Sequence, residues 1–192
     1  MVGRGRRGAG IDEGRIFLWG ESAGAHLAAL TALDQADRAT APVRGVVAWF
    51  PPSDLMALDE DAAQVGGEMH SQADSRESRL LGGPLSERRE QAIAASPVTY
   101  AHPDAPPFLL MHGDADVAVP YQQSLRLAHA LTACGSVAEV ELVPGAGHMW
   151  TGASDGEAIF TRSLAFVADL AAVGPPVPLS MRPGAAAAGS PR

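Results

Sequence analysis

Cysteine is all but missing: Cys134 is the single thiol among 192 residues. An internal disulfide and a zinc site built on cysteines are thereby excluded. A lone thiol fits a reducing compartment, so the cytoplasm is the expected location. Positive charge is scarce as well. Fourteen Lys and Arg against 22 Asp and Glu leave a formal net charge of −8. That is the wrong sign for a surface that grips phosphates, so no nucleic-acid partner is expected. No apolar run approaches the roughly 18–20 residues that span a bilayer. Residues 1–10 are rich in Gly and Arg, and no apolar stretch follows the arginines. They lack the hydrophobic region of a secretory signal. No internal repeat is found.

Hydrophobic residues make up 46% of the chain and charged residues 19%, enough apolar side chain for one domain with a tail. The domain is expected over residues 11–173, between an irregular segment at 1–10 and a Pro/Gly/Ala-rich tail at 174–192. That tail has nothing to bury against the entropy of ordering and is expected to be disordered. Arg15-Ile-Phe-Leu-Trp19 reads as a buried strand, with a helix of Ala and Leu following it directly to Leu33. Arg44-Gly-Val-Val-Ala-Trp-Phe50 is the next strand, stopped by Pro51-Pro52. Residues 55–90 are polar and broken by Gly66-Gly67 and Gly82-Gly83-Pro84, an excursion of loops and short helices. Pro107-Phe-Leu-Leu-Met-His112 is a third strand. A helix opening near Pro120 turns Leu127, Leu131 and Cys134 inward, and Gln122, Gln123, Arg126 and His129 mostly outward. Residues 137–143 alternate like a strand near a sheet edge. Ile159, Phe166, Val167 and Leu170 then share one face of a last helix. Alternation of this kind predicts an α/β fold, a mostly parallel sheet with helices on both faces.

Gly20-Glu-Ser-Ala-Gly24 fits G-x-S-x-G where a strand passes straight into a helix, the setting in which that motif raises a nucleophilic serine above a sheet. The flanking glycines leave room for the tight turn. The helix amino terminus offers N–H groups, Ala23 first, to a developing oxyanion. A nucleophilic Ser22 needs a base and an orienting acid. His148 lies in Pro144-Gly-Ala-Gly-His148, a glycine-rich loop after the last strand. Asp116 closes His112-Gly-Asp-Ala-Asp116, just after the third strand. All three therefore leave the carboxyl-terminal edge of one parallel sheet, where such sheets place their ligands.

These motifs, with Ser96-Pro-Val-Thr-Tyr100 and Val119-Pro120, make residues from about Gly10 to Val167 resemble the second half of an α/β-hydrolase. The wording is similar to that of hormone-sensitive-lipase-like enzymes and bacterial xylan-acetyl and feruloyl esterases. The resemblance implies a carboxylic-ester hydrolase with Ser22 as nucleophile, His148 as base and Asp116 as acid. It implies a small-molecule ester substrate, with no cofactor or metal. Glu21 and Trp150, beside the nucleophile and the base, are candidates for substrate contact. Two alternatives stay open: a peptidase of the prolyl-oligopeptidase kind, and a catalytically incompetent fragment. Complete members carry earlier strands and a His-Gly-Gly-Gly-like segment that supplies a second oxyanion donor. This chain holds no such segment, so it is expected to be the carboxyl-terminal portion of the fold. Its bared sheet edge is expected to self-associate.

Rival residues have plainer roles. Asp54 is expected to cap the chain leaving the second strand, and Asp114 stands second to Asp116 as the acid. His112, at a strand end, is expected to make a structural hydrogen bond, and His26 to pack on neighbouring loops. His70, His102 and His129 read as surface. Arg76, Glu77, Arg79, Arg88, Arg89 and Glu90 read as a solvated face, and Trp19 and Phe50 as core.

Overall fold

The computed structural model describes residues 12, 14–34 and 43–173. The segments read as an irregular amino terminus (1–10) and a tail (174–192) lie outside the described residues. The chain runs β1 (Ile16–Glu21), α1 (Ala23–Leu33), β2 (Val43–Trp49), α2 (Leu58–Val65), α3 (Arg76–Leu81) and α4 (Arg89–Ala94). A 3-10 turn at Pro97–Tyr100 leads to β3 (Phe108–Gly113), α5 (Gln122–Ala133), β4 (Ala138–Val143), a second 3-10 turn at His148–Trp150, and α6 (Gly156–Ala172). The strands pair in sequence order, and all three pairings are parallel.

The two central strands are buried on both faces, which is why they read as unbroken apolar runs. Alternate residues serve opposite layers. Val46, Ala48, Phe108 and Leu110 meet Ala25, Ala29 and Leu33 of α1 and Leu127 and Leu131 of α5. Val47, Leu109 and Met111 meet Ile159 and Phe166 of α6. Full burial of a side chain such as Phe108 or Leu110 contributes on the order of 2 kcal/mol. The excursion between β2 and β3 has a small core of its own in Leu55, Leu58, Leu85 and Ala92.

Several expectations are corrected. β1 is an edge strand among the described residues, and Trp19 is 36% exposed rather than core. The outer edge of β1 pairs with no strand among the described residues. Gln123, read as outward, is fully buried. Its Oε1 accepts the N–H groups of Ser53 and Asp54, both at 2.8 Å, and its Nε2 donates to Asp61 Oδ2 at 2.8 Å. A single amide thus satisfies three polar groups where β2, α2 and α5 meet. His70 and His102 are buried, not surface, while His129 is exposed. His70 Nδ1 lies 3.2 Å from Glu77 Oε2, which takes Glu77 off the solvated face. His102 Nδ1 accepts the Asp104 N–H at 3.1 Å. Helix α5 begins two residues after Pro120, whose carbonyl closes a turn with the Gln123 N–H at 3.0 Å.

Candidate active site

Ser22 stands between β1 and α1 with φ 50° and ψ −120°, a conformation that suits glycine and costs another residue about 1–3 kcal/mol. Its surroundings impose it. The Ser22 N–H donates to the Trp49 carbonyl of β2 at 2.9 Å, and the Ser22 carbonyl accepts the His26 N–H at 3.0 Å. The β1 backbone also touches that of α1, since a Cβ on Gly20 would lie 2.4 Å from the carbonyl carbon and oxygen of Gly24. A Cβ on Gly24 would meet nothing within 4 Å. Only the first of the two flanking glycines is needed for space here, a correction to the symmetrical reading. The N–H groups of Ala23, Gly24 and Ala25 precede the first intrahelical bond and lie at the positive end of α1, beside Ser22.

The base arrives from the other side of the sheet. The 144–147 loop after β4 lies directly on the end of β3. A Cβ on Gly113 would fall 2.1 Å from the Ala146 carbonyl oxygen, which accepts the Ala115 N–H at 3.0 Å. Asp114 Oδ1 accepts the Gly145 N–H at 2.7 Å, so this rival acid anchors the loop and points away from the histidine. The anchored loop brings His148 Nε2 to 3.1 Å from Ser22 Oγ, and His148 Nδ1 to 2.8 Å from Asp116 Oδ2. A carboxylate can only accept, so Nδ1 carries the proton and Nε2 is free to accept the Ser22 hydroxyl proton.

Asp116 is fully buried. Burial alone would raise its pKa. Hydrogen bonds from His112, His148 and the Val119 N–H outweigh that and hold the carboxyl well below the usual range. Its Oδ1 accepts the Ala118 and Val119 N–H groups, both at 2.9 Å. The ring of Phe50 packs edge-to-face on His148, with centroids 4.7 Å apart.

The other candidates divide. Glu21 is exposed at the end of β1, next to Ser22. Trp150 turns its ring against Trp49 and Phe50, with centroids at 5.4 and 5.0 Å, and so backs the loop that holds the base. Asp54 does cap its turn, accepting the Met56 N–H at 3.2 Å, and its Oδ2 lies 3.9 Å from Arg126. His26 donates from Nδ1 to the Pro52 carbonyl at 2.9 Å, tying α1 to the loop after β2. Phe50 is core as read, but its contact with His148 was not foreseen. The available signal was an aromatic residue at a strand end, immediately before Pro51-Pro52. Among the described residues no group of three or more His, Cys, Asp or Glu is placed to hold a metal ion. None of the described helices is long and apolar enough to cross a membrane.

A family model described as BD-FAE matches residues 7–131. That span contains Ser22 and Asp116 and stops before His148. Esterase LipQ of Mycobacterium tuberculosis is 35% identical over 151 residues, which are 72% of this chain and 34% of that protein. Isoprenylcysteine alpha-carbonyl methylesterase ICME of Arabidopsis thaliana is 31% identical over the same shares of each. A solved truncated form of a carbohydrate esterase from gut microbiota superimposes with a TM-score of 0.66 at 26% identity, covering 83% of this chain and 61% of that one. The chain spans about a third of the length of these two curated relatives.

Proposed function

From the premise that this chain belongs to the BD-FAE family, we propose that it hydrolyses carboxylic esters, with Ser22 as nucleophile, His148 as base and Asp116 as acid. The observation that carries the proposal is the continuous hydrogen-bonded run from Ser22 Oγ through His148 to Asp116, at 3.1 and 2.8 Å. His148 Nε2 takes the hydroxyl proton as Oγ attacks the ester carbonyl. Charge collects on the carbonyl oxygen, where the Ala23 N–H donates. Asp116, already ionised, keeps Nδ1 protonated and stabilises the imidazolium. His148 returns the proton to the leaving alcohol. A water molecule, deprotonated by His148, then releases the acid and regenerates Ser22. Glu21, exposed beside Ser22, borders the ester in this reading, while Trp150 backs the loop that carries the base.

The prolyl-oligopeptidase alternative would use the same three residues on an amide. Relatives named as esterases favour the ester. The lone Cys134 fits a cytoplasmic location, and the edge of β1, unpaired among the described residues, supports self-association.

The test is hydrolysis of short p-nitrophenyl esters beside matched p-nitroanilides. Ser22→Ala is expected to lower ester turnover by on the order of a millionfold. Asp116→Asn is expected to lower it far more than Asp54→Asn. The reverse order would transfer the acid role to Asp54, and faster anilide cleavage would favour the peptidase.

A further inference from the structure

Behind Asp116 lies a second imidazole that the proposed reaction leaves unused. His112 is fully buried near the end of β3. Its Nε2 is 2.8 Å from the Val119 carbonyl oxygen, and its Nδ1 is 2.7 Å from Ser124 Oγ on α5. A carbonyl oxygen only accepts, so Nε2 bears hydrogen. Nδ1 of the neutral ring is then an acceptor, and the Ser124 hydroxyl donates to it. The same Nε2 lies 3.4 Å from Asp116 Oδ2, the oxygen that takes the His148 proton. We infer that His112 is a positioning residue for the proposed hydrolysis: its Nε2–H, shared between the Val119 carbonyl and the more distant Asp116 Oδ2, steadies the carboxylate oxygen that orients His148, and Ser124 fixes the tautomer that allows this.

The inference rests on the triad reading of Ser22, His148 and Asp116, and it concerns how the acid is tuned. Asp116 Oδ1 is occupied by two backbone N–H groups, so Oδ2 alone divides its charge, between His148 and His112. β3 is paired with β2 as far as Met111 and with β4 through His112 and Gly113, so His112 gives Asp116 a reference fixed to the sheet. The titratable groups facing Oδ2 are His148 from the loop after β4 and His112 from β3. Helix α5 presents the neutral Ser124. The excursion meets this loop through the Glu68 N–H on the Val117 carbonyl at 3.0 Å, and the Glu68 side chain is exposed. Asp114 turns away to Gly145, Glu21 is exposed beside Ser22, and Phe50 packs on both imidazoles.

With the His112 donor removed, Oδ2 directs its whole charge at His148, which then holds its proton more tightly. The His148 titration midpoint, and with it the ascending limb of kcat/KM against pH, moves to higher pH. A less restrained carboxylate also orients His148 less well, which lowers kcat and leaves KM alone.

The experiment follows the imidazole nitrogens of His148 by NMR through a pH titration of the full chain. Wild type is compared with His112→Asn, His112→Gln and Ser124→Ala, and kcat and KM are measured on p-nitrophenyl acetate. His112→Asn keeps an amide near Nδ1 and is expected to raise the midpoint by about half a unit or more, with kcat down about tenfold. His112→Gln places an amide N–H near Nε2 and is expected to restore most of both. Ser124→Ala, a small change that also serves if His112→Asn fails to fold, is expected to shift the midpoint the same way by less. Midpoints and kcat unchanged in the folded variants, with only thermal stability reduced, would overturn the inference and leave His112 a structural group. The NMR midpoint needs no turnover, so the two readings separate. A shifted midpoint in a chain whose hydrolysis survives Ser22→Ala supports the coupling and sinks the triad. An unshifted midpoint with Ser22-dependent hydrolysis sinks the role of His112 alone.

Discussion

Ser22, Phe50, Met149 and Trp150 are the non-glycine residues with positive φ among those described. Ser22 faces His148, Phe50 packs on it, and Met149 and Trp150 follow it in the chain. Backbone strain therefore gathers where side chains must be held at fixed positions, as it does at functional sites in general. The conformation of Ser22 predicts a trade of activity for stability. Ser22→Gly and Ser22→Ala should both be inactive, but the glycine variant should be the more stable by about 1 kcal/mol in urea unfolding. Equal stability would mean that the elbow stores no strain. G-x-S-x-G made Ser22 legible in the sequence. The strain was not legible, because it arises from the Trp49 carbonyl and the Gly20–Gly24 contact, both set by packing.

Between elements, a buried polar cluster helps tie the excursion to the sheet layer. Asp61 of α2 is fully buried and accepts Arg126 Nε at 2.8 Å, Arg126 Nη2 at 2.7 Å and Gln123 Nε2 at 2.8 Å. Gln123 in turn holds the Ser53 and Asp54 N–H groups of the loop that follows Phe50. Asp61→Ala would leave a guanidinium and a buried amide without their acceptor. It is expected to cost about 3 kcal/mol, the lower end for a broken buried pair, because the Arg126 side chain stays 34% exposed and partly screened. Chemical denaturation checks this, and a loss under about 0.5 kcal/mol, the size expected of an ordinary surface change, would show the cluster to be incidental. Composition gave no hint of it: Asp61 sits among Asp59, Glu60 and other polar residues, and only the crossing of α2 and α5 selects it for burial.

At the scale of the whole molecule, β1 sets the behaviour of the chain. Its outer edge pairs with no strand among the described residues, and Trp19 lies against the ring of Phe160 with centroids 5.4 Å apart. Both are part-exposed, at 36% and 48%, with Leu164 nearby on the same helix at 47%. An open strand edge flanked by apolar side chains invites pairing with another chain. The 192-residue chain expressed alone is therefore expected to elute larger than a monomer in gel filtration. The double change Trp19→Lys and Phe160→Lys should move it toward the monomer. A wild type already monomeric and monodisperse would count against self-association through this edge.

The sequence by itself determined the order of elements, the parallel sheet and the loops that carry Ser22, Asp116 and His148. Those features depend on local pattern: apolar runs, helix formers and glycine turns act through neighbours in the chain. Tertiary structure alone decided which polar side chains were taken out of water. His70, His102, Gln123 and Glu77 read as surface residues, yet each is buried or nearly so against a partner. It likewise turned His112 from a histidine at a strand end into a buried imidazole bonded to Val119 and Ser124, 3.4 Å from Asp116. The physical reason is common to all of them. Burial of a polar group is tolerated only where a partner arrives from elsewhere in the fold, and the partners here, Ser124 and Val119 for His112 and Asp61 for Gln123, meet them only after the chain has packed.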